Sequence, residues 1–529
     1  MKKMKMFFIA SMITAVPFAG AAQTLNDAIK LTTSEQFSKA DAAFKTLVTA
    51  QPNNGEIYFY YGENDFKDDK PESAKALYQK GVDVNATSPF PYIGLGKVQW
   101  YEGKQADAKA NLFKATTLGG GKNATVLTRI AEVYIYGETK NLTEAFTLLA
   151  QAAKLDPKNP DIYIVTGDAY LEQNEGTKAI ENYEKAGALD PKSPRSLLRQ
   201  GQVWNRAKNY SLAIETYKKA IAIDPNFAPA YREMAEIYLR AGQYQNAADN
   251  AKRYVELNQD CSALSRYAGM ANLAKKYKES IDAAVEALKC DPNNAYTYRY
   301  KGRSEYELGD FANGIETFNT FFDMAAKNPE LKLSAEDYEY RAKLYAKNGK
   351  DSLAVLDFKK ALEMQPEKVE LNGDIAASYV KMKKYTEAIA AYKTKMEKGK
   401  TNVNDTLALG RAYYYSKDYD NADSSFSHVT RAYGNLPIGY LWIAKAKIQQ
   451  DVIKKTEWSA KEPYEMFIAK MKPEDVEKNK KDLIDAYNYL AAYYAGKKDC
   501  VNTKLYMQKV LDLDPANAQA KKVIAGLKC

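Results

Sequence analysis

A short signal recurs along this chain at a fixed interval. Leu155-Asp156-Pro157, Leu189-Asp190-Pro191 and Ile223-Asp224-Pro225 stand 34 residues apart, and Cys290-Asp291-Pro292 and Leu513-Asp514-Pro515 repeat the signal further on. A period of this length is the mark of a supersecondary unit stacked in tandem. Proline is accepted at a helix start and rejected in its interior, so each Asp-Pro is expected to end one helix and start the next. Upstream of each proline the same residue types hold the same offsets. Gly201, Trp204, Tyr210, Ala213, Tyr217 and Ala220 in one repeat match Gly167, Tyr170, Gly176, Ala179, Tyr183 and Ala186 in the one before. Gly201 and Ala213 are expected where two antiparallel helices cross closely, with Trp204 and Tyr217 filling the space between them. One such pair buries too little alone, and stacking supplies the core.

The small residue of the first helix can be followed as Ala28, Gly62, Gly96, Ala131, Gly167, Gly201, Ala235, Ala268, Gly302, Ala342, Ala376, Gly410, Ala444 and Ala491, which counts to 14 helix pairs. With these residues the chain resembles the tetratricopeptide repeat family from about Thr24 to the end. The resemblance implies an all-α, right-handed superhelical solenoid of stacked antiparallel helix pairs. The spacing between small residues stretches twice. The excess between Gly302 and Ala342 is expected to lengthen helices around Asn328-Pro329. Between Ala444 and Ala491, Ala460, Tyr464 and Phe467 align as a second helix, with the extra residues near Lys454 and from Lys472 to Lys481. The last stretch, 516–529, reads as a capping helix with Val523, Ile524 and Leu527 on one side.

Residues 1–22 read as a secretory signal: Lys2, Lys3 and Lys5, an apolar run from Met6 to Val16, Pro17, and small residues before a cleavage site at Ala22 or Gln23. The run is shorter than the roughly 20 residues a spanning helix needs, so the processed chain is expected to have no integral membrane span. Residues 23–515 are then the tandem pairs. Lysines are scattered among acids, and the formal charge of +9 falls to +6 without the three signal lysines, which argues against a nucleic-acid partner.

The four cysteines form no CxxC pair, and one histidine, His428, leaves no usual zinc site or histidine-based triad. No metal, cofactor or catalytic set is expected, and the chain is not read as an enzyme. His428 is expected to be partly buried. Gly119-Gly120-Gly121-Lys122 lacks the spacing of a phosphate loop and falls where a turn is due. Cys261 with Cys290 and Cys500 with Cys529 are each 29 apart and fall at shared ends of helix hairpins. Two disulfides in an oxidising compartment are expected; the competing reading is four buried free thiols.

In the tetratricopeptide family the first helix of each pair lines a concave groove, through the second, fifth, sixth, ninth, twelfth and thirteenth residues of the repeat. Carried onto the middle of this chain, the resemblance points to Arg195, Arg199, Arg206, Arg232, Arg240, Tyr296, Arg299, Arg303 and Tyr306. It adds Tyr414 and Tyr415 near the carboxyl end. Arginine forks suit an acidic or carboxylate-bearing peptide. Arg195 and Arg199 resemble part of the family's carboxylate clamp, whose remaining Lys and Asn residues this chain does not supply. The alternative is that the arginines pair with Glu233, Glu236, Glu305 or Glu307. The expected function is an exported, periplasmic or otherwise extracytoplasmic scaffold that docks envelope proteins or peptides. Alternatives are a glycan- or solute-binding component of an outer-membrane uptake system and an accessory module of an envelope-polymer enzyme.

Overall fold

A computed structural model describes residues 24–258, 260–399 and 402–527. The expected signal segment, 1–22, lies outside them. Among the described residues there are 29 α-helices, joined in sequence as antiparallel pairs from Leu25–Thr33 and Phe37–Ala50 to Lys480–Gly496 and Cys500–Leu513. Ala518–Gly526 follows the last pair. None is long and apolar enough to cross a membrane. The chain divides into two compact units, one up to Tyr300 and one from Lys301.

Within each pair the close-contact position behaves as its size demands. A Cβ placed on Gly201 would stand 2.3 Å from the Tyr217 ring, and one on Gly167 would stand 2.4 Å from the Tyr183 ring. Neither tyrosine has any exposure, and Ala179 and Ala213 are as deeply buried. Glycine is therefore required by the large ring sixteen residues later, a packing constraint distinct from glycine's use in turns.

The Asp-Pro signal works differently from expectation. Asp190 and Asp224 cap the preceding helices, and the prolines lie in the turns beyond, with the next helices beginning at Arg195 and Ala228. Proline pushes the residue before it out of the helical region, which stops the helix at that residue. The aspartate then closes a local turn: Asp224 accepts from the Asn226 amide at 2.9 Å, and Asp291 from the Asn293 amide at 3.2 Å.

Both stretched spacings are absorbed locally. Helix Phe311–Lys327 runs to 17 residues, and the rest of that excess forms the connection before Ala335. Helix Pro437–Lys454 runs to 18 residues and ends on a left-handed Lys455. Lys461–Ala469 follows, with Ala460, Tyr464 and Phe467 all buried, and then a 3₁₀ turn at Pro473–Asp475. The run at Gly119 to Lys122 is a turn, with Gly120 and Gly121 both at positive φ. In Ala518–Gly526, Ala520 is buried, and Val523 and Ile524 pack against the last pair.

Cys261 opens one helix of a pair and Cys290 closes the other, and the two form a disulfide with their α carbons 6.1 Å apart. The second expected pair ends at Cys529, which lies outside the described residues.

Candidate binding sites

The first unit coils until its first pair meets its seventh. Glu35, in the turn after Leu25–Thr33, accepts two hydrogen bonds from the Arg232 guanidinium, both at 3.1 Å, although 197 residues separate them. Beside it Gln36 donates to the Asn226 carbonyl at 3.1 Å. The space enclosed by this turn is a cavity of about 330 Å³.

Of the expected groove residues, Arg195, Arg199 and Arg232 line this cavity. Each is paired within the fold. Asp161 is gripped from two neighbouring pairs, by Arg129 at 2.6 Å and Arg195 at 2.5 Å. Burial raises the Asp161 pKa, but the two guanidiniums outweigh it and hold the carboxyl well below the usual range. Asp168 accepts from Arg199 at 3.1 Å, from the Tyr183 hydroxyl at 2.7 Å, and from Tyr136. Arg232 reaches Glu233 at 3.2 Å as well as Glu35.

The other expected residues lie apart from the cavity. Arg206 donates to Asn174 at 2.5 Å, and Arg240 donates to the Glu236 carbonyl of its own helix at 3.2 Å. Arg299 sits 5.0 Å from the ring of Tyr296, which is 51% exposed. In the second unit Arg303 pairs with Glu336 and Asp337, each at 3.0 Å. Tyr306 meets Tyr340 edge to face at 5.6 Å.

Three cationic lining residues were not among the expected set: Lys67, Lys97 and Arg129. They stand at the thirteenth, ninth and sixth places of their repeats. The position rule that yielded Arg206, Arg303 and Arg199 therefore reaches them when carried toward the amino terminus. Lys97 pairs with Glu63 at 2.8 Å. Burial raises the Glu63 pKa, and the Lys97 ammonium, together with Lys67 and the Tyr78 hydroxyl, more than reverses that, leaving a net lowering.

Tyr414 and Tyr415 form a different site, in the second unit. Both rings meet Trp442 edge to face, at 5.3 and 6.1 Å, and with Lys445, Tyr464 and Tyr489 they line an open hollow of about 500 Å³. Tyr415 is 48% exposed. Its ring is held by Tyr385, stacked at 5.8 Å, so it presents apolar surface with little freedom left to lose on binding. His428 lies exposed on helix Tyr419–Ala432, where partial burial was expected. Among the described residues no group of three or more His, Cys, Asp or Glu side chains is arranged to hold a metal ion.

Family models described as tetratricopeptide repeat match residues 164–226 and 206–270. Among solved structures, the C-terminal part of a TPR repeat-containing protein from Cytophaga hutchinsonii is 31% identical. The match covers 49% of this chain and 99% of that one, with a TM-score of 0.44. A tetratricopeptide repeat protein from Parabacteroides merdae is 18% identical, over 48% of this chain and 98% of that one, with a TM-score of 0.29. Yeast Tom70 is 13% identical, over 74% of this chain and 95% of that one, with a TM-score of 0.28. A search of the curated proteins finds no match. Residues 164–270 of this chain thus match the tetratricopeptide repeat family, and the repeat period and paired helices are those of a tetratricopeptide repeat solenoid.

Proposed function

We propose that the protein is an extracytoplasmic scaffold that holds another protein, and that the aromatic hollow around Tyr415 is where it does so. Tetratricopeptide repeats generally serve as protein–protein interaction scaffolds and are typically non-catalytic. The observation that carries the location is the exposed Tyr415 ring, braced by Tyr385 and Trp442 over an open hollow with Lys445 at its edge. Braced aromatic residues beside a cation are the usual anchors of a protein interface. The arginines expected to take an acidic peptide are already occupied: Arg195, Arg199, Arg232 and Arg303 each have a carboxylate partner within the fold. A peptide carboxylate would have to displace such a partner and leave a desolvated carboxylate behind.

Export is supported by the signal-like first residues and by the Cys261–Cys290 disulfide, a bond that persists in oxidising compartments. The test is affinity capture of the full chain under mild cross-linking, with Tyr415→Ala and Arg199→Glu beside the wild type. The proposal expects a captured protein to be lost with Tyr415→Ala and retained with Arg199→Glu. The reverse pattern would move the docking site to the arginines.

A further inference from the structure

The aromatic hollow of the second unit is lined by rings and by hydrogen-bond donors that the fold itself does not use. Tyr414 and Tyr415 come from helix Val403–Tyr415, Trp442 and Lys445 from Pro437–Lys454, and Asn488 and Tyr489 from Lys480–Gly496. Among the described residues the hydroxyls of Tyr414 and Tyr415, the indole N–H of Trp442 and the side-chain amide of Asn488 have no hydrogen-bond partner. The Tyr489 hydroxyl accepts from the Ala460 amide at 3.3 Å, and its own proton remains to donate.

The charges about this lining offset one another. Lys445 pairs with Asp482 at 2.8 Å. Asp485, an exposed carboxylate of the lining, has no ion pair among the described residues, and neither has exposed Arg411, whose guanidinium lies 5.1 Å from the Trp442 ring. One charge of each sign is thus left at the surface, and a strongly charged segment meets no excess of the opposite sign. What fits is an uncharged segment that is rich in acceptors, poor in donors, and flat-sided enough to lie on rings. A polyproline II stretch has those properties. It makes no internal hydrogen bonds, so every carbonyl stays available, and proline brings no N–H. An α-helix spends its carbonyls on its own ladder and would leave the hollow's donors unmatched. Both sides are also pre-set: Tyr415 is braced by Tyr385 and Trp442, Trp442 stacks on Phe426 at 5.6 Å, and the proline ring fixes φ, so little freedom is lost on docking.

We propose that the segment seated in the hollow is an uncharged, proline-rich stretch of the partner protein in the polyproline II conformation. Its rings lie against Tyr415 and Tyr489, and its carbonyls accept from the tyrosine hydroxyls, the Trp442 indole and the Asn488 amide. The inference rests on the reading of the hollow as the docking surface.

The experiment is calorimetric titration of the full chain with nonaproline, acetylated and amidated at its ends, as probe. A glycine-serine peptide of equal length, an acidic peptide with a free carboxyl terminus and maltohexaose serve as separate arms. The proposal predicts one nonaproline per chain, at least a ten-fold loss of affinity in Tyr415→Ala, a smaller loss in Asn488→Leu, and none in Arg199→Glu. Tyr415 is exposed, so the thermal midpoint of Tyr415→Ala should match that of the wild type. Raising salt from about 50 to about 500 mM should change the affinity less than about two-fold. In parallel, nonaproline added to the cross-linking capture of the wild type should release the captured protein, a readout that needs no variant to fold. No saturable nonaproline binding, equal affinity in Tyr415→Ala, steep weakening by salt, or tighter binding of the acidic peptide or of maltohexaose would each overturn the proposal. Capture that is lost with Tyr415→Ala yet indifferent to nonaproline would overturn the proline assignment and leave the docking surface standing. Capture indifferent to Tyr415→Ala would overturn the docking surface, and this inference with it.

Discussion

Tyr183 and Tyr217 hold the same place in successive repeats, each without exposure beneath a glycine, yet their hydroxyls have different fates. The Tyr183 hydroxyl donates to Asp168 at 2.7 Å, and Tyr78 does the same to Glu63 at 2.7 Å. At the matching place the repeat of Tyr217 has Gln202, whose carbonyl takes Arg199 and whose amide reaches Glu233, and the buried Tyr217 hydroxyl is left without a partner. A buried hydroxyl that makes no bond contributes nothing and carries its desolvation cost. Tyr217→Phe is therefore expected to leave stability unchanged or raise it by up to about 1 kcal/mol, whereas Tyr183→Phe should cost about 1–2 kcal/mol and leave Asp168 with one donor fewer. Urea denaturation of the two variants checks the contrast. Gly201→Ala should cost about 1–3 kcal/mol, because the new methyl must displace the Tyr217 ring, and this outweighs alanine's better helix propensity. Gly201 and Tyr217 could be paired from sequence because they sit in one repeat; the missing acceptor could not, since it depends on what Gln202 prefers to bind.

At the scale of the helix pair, period and residue size carried most of the information. Small residue, ring and Asp-Pro signal together locate the helices, and even the short segment at Lys461–Ala469 follows from Ala460, Tyr464 and Phe467. The place of the proline in the turn was less legible, because Asp-Pro fits both a helix start and a helix stop until the side-chain bonds of the aspartate are known. Reduction of Cys261–Cys290 releases a loop closed over a separation of 29 residues, so Cys290→Ser should lower stability by about 3–4 kcal/mol on the chain-entropy account. Hydrogen exchange should show the loss concentrated in Cys261–Leu273 and Tyr277–Cys290. The clasp between the first and seventh pairs is a second fastener of this kind. Arg232→Ala removes both bonds to Glu35, and the predicted result is faster amide exchange in Leu25–Thr33, at a stability cost of about 1–3 kcal/mol. A contact across 197 residues leaves no trace in a 34-residue pattern, which describes how one pair follows another and not how steeply a run of them coils.

At the scale of the molecule, the same limit explains which parts of the sites could be read. The repeat position rule names groove residues one at a time, and it reaches Lys67, Lys97 and Arg129 as readily as Arg195 and Arg199 once applied to every repeat. It cannot say that Asp161 and Asp168 will occupy those guanidiniums, because the partners come from adjacent repeats 31 to 34 residues away. Of the carboxylates expected to pair with the arginines, Glu233 takes Arg232, while Glu236 and Glu305 take Arg266 and Lys301. Both Tyr414 and Tyr415 fall on groove positions of the repeat; Tyr415 is exposed, whereas Tyr414 packs partly buried against the core that includes Trp442, a difference the position rule does not distinguish. The account turns on that aromatic hollow being the docking surface. A photoreactive phenylalanine analogue at position 415, with a second at exposed position 210 as control, tests it most directly. The account predicts a discrete cross-linked product from position 415 that is absent from position 210. Equal cross-linking at both positions, or none at 415 while a partner is still captured, would contradict it.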